Sequence, residues 1–194
     1  NDVEVICGAG DYIEGLRHEL MLKGGIYGSR RYVFNYTNQE KLAAYLVSEV
    51  LTTVFRARWD PRRAKKDGVE AAVLKALPTH IAIPGNHCTW VEPEGFSPHS
   101  VLDVWLRRLV TENVSAILAA SKIDIPNVAR LVNQRIIALE QNETCRLPSG
   151  LSMAMLHPYM SRTKTTSIRL QESLAKSDAD VVLIANFHVA EAVE

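Results

Sequence analysis

Short apolar strands alternate along this chain with longer segments of helical period, and this alternation limits the folds open to it. Runs of strand length lie at Val3–Cys7, His80–Ile83, Leu151–Leu156 and Val181–Ala185. A helix is predicted from Thr37 to about Arg58 and another from Ser100 to about Glu112, since apolar residues recur there every three or four positions. The pattern predicts an α/β layered fold. The wholly apolar last strand further predicts a sheet that is covered on both faces.

The remaining segments have weaker signals. A helix is expected from Asp67, as its cap, to Leu77, where Pro78 stops it, and another over Ile125–Leu139. Further assignments are helices over Glu14–Lys23 and Thr165–Lys176, a turn region over Glu143–Gly150, and a charged linker over Arg56–Asp67. Val114–Ala119 fits either a strand or a buried turn of helix.

Length and charge narrow the classes of protein. The chain has 194 residues, and we expect one domain over 1–194 with a sizeable core. Basic and acidic residues balance at 22 each, which argues against a general electrostatic attraction to nucleic acid or membranes. No apolar run reaches membrane-spanning length, and the 3 cysteines form no CxxC pair, so we expect a soluble, intracellular protein with reduced thiols. Because Asn1 replaces an initiator Met, we expect an excerpt of a longer polypeptide.

Polar residues that suit metal chemistry follow the strands. Gly10-Asp11 follows the first, Gly85-Asn86-His87 the second, His157 the third, and Asn186-Phe187-His188 the last. The carboxyl ends of strands are where α/β sheets build their sites. Carboxylates can bridge two divalent ions, and imidazole suits zinc, manganese or iron. We therefore expect Asp11, Asn86, His157 and His188 to converge at one edge of the sheet.

These motifs resemble those of the calcineurin-like metallophosphoesterase family. The family signature includes Gly-Asp-x-x-(Glu/Asp)-Gly, Gly-Asn-His, a His after a strand, and Gly-His-x-His. Corresponding segments here are 10–15, 85–87, 157 and 185–188. The resemblance spans nearly the whole chain and implies a metallophosphoesterase-like layered α/β sandwich.

The resemblance also implies roles and an activity. Asp11 would bridge two divalent ions (Mn, Zn, Fe or Mg), Asn86 and His157 would hold the second ion, and His188 the first. Asn186 would be a weak further ligand, and His87 would act beside the scissile phosphate as the catalytic group. The implied function is a metal-dependent phosphodiesterase or nuclease-like hydrolase, in which a metal-bound hydroxide attacks a phosphate ester.

The chain departs from the family pattern in three places. The first family motif, Asp-x-His, does not precede Asp11, and Ala185-Asn186 stand where the family has Gly-His. Cys88 replaces the usual acid after Gly-Asn-His, and we interpret it as a small buried residue rather than a metal thiolate. Two hypotheses follow. Either the first motif lies upstream of this chain, or the domain is degenerate and serves as a scaffold or binding module in a larger assembly.

A basic stretch suggests a second kind of partner. Arg56–Lys66 contains six basic residues and Trp59, a composition that can contact a nucleic-acid backbone. A solvated charged surface is the commoner explanation. A dinucleotide loop at Gly8-Ala9-Gly10 is disfavoured because Ile13 takes the place of its third glycine. His80 and His99 are interpreted as surface or hydrogen-bonded structural histidines.

Overall fold

The computed structural model describes residues 3–12, 36–89, 92, 95, 97–124, 127–140, 143–157 and 171–185. The chain is of the α/β class, and its described residues form a layer of helices and two small sheets. Its elements in chain order are β1 (Val5–Ala9), α1 (Tyr36–Arg58), α2 (Pro61–Asp67), α3 (Val69–Ala76), β2 (Thr79–Ile83), α4 (Ser100–Ala120), α5 (Val128–Asn133), β3 (Ile136–Ala138), β4 (Thr144–Arg146), β5 (Ser152–Leu156) and β6 (Val181–Ile184).

The first sheet is parallel throughout, with strand order β1-β2-β3. Val5 pairs with Thr79 and His80 with Ile136, so the three strands run in the same direction and end at the same edge. The second sheet has the order β4-β5-β6; β5 is antiparallel to β4 and parallel to β6. The carboxyl ends of β1 and β2 are therefore side by side at an edge where α/β sheets build their sites.

Helices cover one face of the first sheet. Apolar residues of α1 and α4 at helical spacing are fully buried, among them Leu51, Phe55, Leu106, Val110 and Val114. Burying one such side chain contributes about 1.5–3 kcal/mol relative to exposure. Ile6 of β1 packs into this cluster, which joins the helical layer to the sheet.

The second sheet packs on the other face. Ile81 and Ile83 of β2 form a second apolar cluster with Leu139 and with Met153 and Met155 of β5. Val5 and Ala9 of β1 also pack against this second cluster, whereas Ile6 packs against the first, as the two-residue period of a strand requires. The resulting order of layers is helices, first sheet, second sheet.

Several predicted elements are confirmed. The strands at the start of the chain, at His80–Ile83 and at Leu151–Leu156 are present, as is the long helix from Thr37 to Arg58. Val114–Ala119 is the last part of α4, which runs on to Ala120. Ser100 is the first residue of that helix rather than its cap, and His99 occupies the cap position with a left-handed backbone.

The charged linker is in part a helix. The side chain of Asp60 accepts a hydrogen bond of 2.9 Å from the backbone N–H of Arg62, and Pro61 occupies the first turn of α2. Both are helix-starting features. Asp67 ends α2 instead of capping the next helix, because Gly68, with φ of 90°, separates α2 from α3.

The predicted helix over Ile125–Leu139 is wrong beyond Asn133. Helix α5 ends there, and Ile136–Ala138 form β3, which pairs with β2. Ile136 is buried as expected, but it lies in a strand and not in a helix. Its helical spacing from Leu131 and Val132 is a coincidence.

Two expectations for the second sheet also need correction. Part of the turn region Glu143–Gly150 is strand β4. The last strand is not buried on both faces, because Val181 and Leu183 are 37% and 36% exposed. The predicted helix over Glu14–Lys23 lies outside the described residues, as does that over Thr165–Lys176 apart from residues 171–176, of which 171–174 are helical.

Candidate metal centre

Side chains from three strand ends meet at the carboxyl edge of the parallel sheet. Asp11 follows β1, Asn86 follows β2 and His157 follows β5. The Nε2 atom of His157 lies 2.9 Å from Oδ2 of Asp11 and 2.9 Å from Oδ1 of Asn86. Residues up to 146 positions apart in the sequence therefore share one point, and the expected convergence holds for these three.

A backbone carbonyl determines which nitrogen of His157 faces that point. Nδ1 lies 2.6 Å from the carbonyl oxygen of Ala9, so Nδ1 carries a proton and donates it. The lone pair of Nε2 in the neutral ring is then directed at oxygens of Asp11 and Asn86. Three electron-pair donors, Nε2 and the two oxygens, then face one another. Either a second proton on the ring or a cation between the three atoms would make the arrangement favourable. Metal-binding histidines are oriented in this manner by a hydrogen bond from their other nitrogen.

Asp11 is held on both of its oxygens. Its Oδ1 accepts a hydrogen bond of 3.1 Å from the backbone N–H of His87, and its Oδ2 faces His157. The backbone of Asp11 is left-handed, with φ of 49°, a conformation that few residues other than glycine adopt. The side chain of His157 is 3% exposed and that of Asp11 is 27% exposed, so the centre opens to solvent on the side of Asp11.

The glycines of these motifs are required by space. A Cβ at Gly85 would overlap the backbone nitrogen and carboxylate of Asp11, and a Cβ at Gly10 would overlap the ring of His157. Gly10 also has φ of 88°, which disfavours other residues. The close approach of these strand ends therefore requires glycine at positions 10 and 85.

Behind the centre, Tyr12 anchors the Asp11 turn to the helical layer. Its hydroxyl lies 3.0 Å from Nε2 of His80, and its ring lies edge-on to that of His99 at 5.4 Å. Both histidines are buried, at 1% and 6% exposure. Burial lowers the pKa of each imidazole to about 4, so both rings are neutral at pH 7. The prediction that these histidines are surface residues is wrong. The alternative, a hydrogen-bonded structural histidine, is confirmed for His99 and for the Nε2 atom of His80.

Cys88 is a buried thiol, as the sequence indicates. Its Sγ lies 3.1 Å from Nε2 of His99. Burial raises the pKa of this thiol to about 11, which keeps it protonated at pH 7. Cys88 is fully buried and packs with Tyr36 and Tyr12, as a small core residue does.

A buried carboxylate that the sequence did not single out supports the same region. Glu40 of α1 is fully buried, and its Oε2 accepts hydrogen bonds from the backbone N–H groups of Val101 and Leu102. Its Oε1 accepts from the hydroxyl of Tyr36. Glu40 thus satisfies the free amides at the start of α4 from a neighbouring helix. In the sequence Glu40 stands three residues after Thr37, which predicts a cap for its own helix and not this contact with α4.

The other predicted ligands lie outside the described residues. These are His188 and Asn186. Within the described part of the chain, no group of three or more His, Cys, Asp and Glu side chains is placed to hold a metal. The centre at Asp11 and His157 instead completes its set of three with the amide oxygen of Asn86. A carboxylate oxygen, an amide oxygen and an imidazole nitrogen fit manganese, iron, zinc or, less closely, magnesium.

The basic stretch lies on a different part of the molecule. Arg62, Arg63, Lys65 and Lys66 are exposed on α2. Trp59 is engaged elsewhere, because its ring stacks on Phe55 at 5.5 Å and its Nε1 donates to Ser121. The stretch therefore offers charge without an aromatic platform for bases.

Comparison with protein-family models, curated proteins and solved structures gives no match for this chain. Among the helices of the described residues, none combines the length and apolar character needed to cross a membrane.

Proposed function

We propose that this chain is a divalent-metal-dependent phosphoesterase domain of the phosphodiesterase or nuclease-like kind. The observation that carries the proposal is the meeting of Asp11, Asn86 and His157, in which Nε2 of His157 lies 2.9 Å from an oxygen of each of the other two. The hydrogen bond from Nδ1 of His157 to Ala9 adds to it, since it directs Nε2 toward the two oxygens.

The arrangement of layers supports a metallophosphoesterase-like fold. Two sheets pack face to face through Ile81, Ile83 and Met155, and helices cover the outer face of the first sheet. A layered sandwich of this kind brings the ends of β1, β2 and β5 to one edge, where the family resemblance expects its metal ligands.

Each residue of the centre has a distinct role in this proposal. Bound divalent ions would supply charge stabilisation to the phosphoryl group and an activated water. Asp11 offers a carboxylate whose second oxygen is fixed by the amide of His87, so its position does not depend on the ligand. His157 is held in the metal-binding tautomer by Ala9. His87 adjoins Asn86 in sequence, and we assign its half-buried ring the task of giving a proton to the leaving oxygen.

A second function rests on the ligand count. The described residues offer one carboxylate, one amide and one imidazole at this centre, and Asn186 stands where the family has His. A domain with so few strong ligands for a second ion would be a degenerate phosphoesterase that serves as a scaffold or binding module.

Manganese binding tests the centre itself. Titration of Mn²⁺ followed by electron paramagnetic resonance should show binding that Asp11→Asn and His157→Gln weaken by about tenfold or more. Asp178→Asn, at an exposed aspartate that precedes β6, is the matched control and should bind as the parent does. Equal binding by all four proteins would refute the metal centre.

Hydrolysis of bis-p-nitrophenyl phosphate separates the two functions. We expect slow manganese-dependent turnover by this chain, because the ligand set for a second ion is weak, and we expect Asp11→Asn to abolish it. Manganese binding without any such turnover would support the second function, a degenerate domain that serves as a scaffold or binding module.

A further inference from the structure

A cavity of about 290 Å³ opens at the edge of the sheet opposite the metal centre. It lies at the amino ends of the strands, since Glu4, Leu77 and Arg135 each precede a strand of the parallel sheet. Arg58 and Lys75 complete its charged lining. A smaller cavity of about 80 Å³ shares Arg58 and Lys75.

Backbone and hydroxyl groups hold the two arginines at this cavity. Nη1 of Arg58 donates a hydrogen bond of 2.8 Å to the carbonyl of Val3. Arg135 donates from Nη1 to the hydroxyl of Thr79 at 3.0 Å and from Nη2 to the carbonyl of Leu74. A guanidinium has more N–H donors than these bonds use. Both arginines are thus held in place and keep N–H donors that no described residue uses, which is the pre-organised form of an oxyanion site.

The positive charge of the cavity is neutralised only in part, by the one carboxylate of Glu4 in its lining. Among the described residues, no carboxylate forms an ion pair with Arg58, Lys75 or Arg135. Burial, and then the nearby charge of Arg58, lower the pKa of Arg135, and the opposing influence of Glu4 is smaller. Three basic side chains against the one carboxylate of Glu4 leave an excess of positive charge, which a bound anion would balance.

We propose that the cavity lined by Arg58, Lys75 and Arg135 binds a phosphate-type oxyanion. The site is separate from the metal centre, because strands of five residues at about 3.3 Å per residue set the two edges about 17 Å apart. A phosphate held here is therefore not the group that the metal centre would attack. It belongs to a free phosphate compound or to the backbone of a nucleic acid that also follows α2.

Calorimetric titration with pyrophosphate in the presence of EDTA tests the site without the metal centre. Lys75→Gln removes one charge from the cavity and should weaken binding about tenfold. Lys65→Gln removes the same charge from α2, outside both cavities, and should change the affinity by less than about twofold. Arg58→Gln, which keeps a donor for the Val3 carbonyl, should also weaken binding, and Asp11→Asn should not.

Displacement by a fluorescent oligonucleotide identifies the source of the phosphate. If pyrophosphate displaces the oligonucleotide and Lys75→Gln weakens both, the cavity takes a phosphate of a nucleic acid. If pyrophosphate binds and the oligonucleotide does not, the cavity takes a free phosphate compound. Absence of pyrophosphate binding, or equal losses in Lys75→Gln and Lys65→Gln, would overturn the proposal.

Discussion

The two ends of the parallel sheet hold their polar side chains in different ways. At the carboxyl ends, the ring of His157 is nearly inaccessible and contacts Ala9, Asp11 and Asn86 at once. At the amino ends, Arg58 and Lys75 border open cavities, and the bonds that hold Arg58 and Arg135 run to backbone and hydroxyl oxygens. The carboxyl end depends on close packing of unlike groups, and the amino end on basic side chains that hydrogen bonds hold beside a cavity. Substitutions should therefore act through stability at the carboxyl end and through binding at the amino end.

The largest effect is expected from Gly10→Ala. A Cβ there would meet the ring of His157 and the backbone of Gly85, in a residue with φ of 88°. Strain and overlap together should lower the free energy of unfolding by about 4 kcal/mol, measured by urea denaturation.

Gly150→Ala is the matched control for this substitution. Gly150 has φ of 89°, but no atom of the described residues lies within 4 Å of a Cβ built on it. Only the backbone strain remains, and the loss should be about 1 kcal/mol. Equal losses at the two glycines would mean that the strand ends are not in the close contact described above.

The second effect is a dependence of stability on pH that comes from His99, beside the carboxyl end of the sheet. Burial lowers the pKa of His99 to about 4 from its ordinary 6.5, and the carboxylates of Asp103 and Asp11 oppose this only in part. Between these values the unfolded chain binds a proton that the folded chain does not. Stability is therefore full above pH 6.5 and falls as the pH drops toward 4, by about 3 kcal/mol for this group.

Substitution of His99 isolates that contribution. Asn tolerates the left-handed backbone of this position, where φ is 62°. Urea denaturation at several pH values between 4 and 7 should give a shallower fall for His99→Asn than for the parent chain. Lys75→Gln, at the amino end, should leave the slope as it is, and a parallel change in both variants would contradict the assignment.

The sequence predicted the carboxyl end far better than the amino end. Asp11, Asn86 and His157 each follow an apolar strand, and parallel strands bring their carboxyl ends together whatever lies between them. Arg58, Lys75 and Arg135 carry no such signal, because they lie in a helix end, a helix and a loop. Their meeting depends on how α1 and α3 pack, which local pattern does not specify.

The errors in secondary structure have a related cause. Ile136 follows Leu131 and Val132 at helical spacing, but pairing with His80 draws it into a strand. Tertiary contact overrides local period in that segment. Glu40 and His99 were missed as supports for the site because their burial depends on Val101, Leu102 and Tyr12, which only the fold brings near them.

A third, smaller effect is expected for Tyr12→Phe. The change removes the only hydrogen bond that the described residues give to the ring of His80, whose Nδ1 has none. A buried ring without partners costs about 2 kcal/mol. Because Tyr12 anchors the turn of Asp11, manganese affinity should fall as well. Tyr45→Phe, at a tyrosine 51% exposed on α1, should change neither quantity.

The smallest effect on stability is expected on α2, from joint replacement of Arg62, Arg63, Lys65 and Lys66 by Ala. These side chains are exposed, and the ion pair between Arg63 and Asp60 is 3.7 Å long and solvated. Alanine also favours a helix, so the free energy of unfolding should move by less than about 0.5 kcal/mol.

That replacement should change the binding of DNA and not the stability, whereas Gly10→Ala should change the stability. If α2 contacts duplex DNA, each lost phosphate contact should lower the slope of log affinity against log salt by about 0.9. Because stability is unchanged, a lower slope can be assigned to the contacts themselves rather than to unfolding. An unchanged slope would leave α2 as a solvated surface and confine any anion binding to the cavity at Arg58, Lys75 and Arg135.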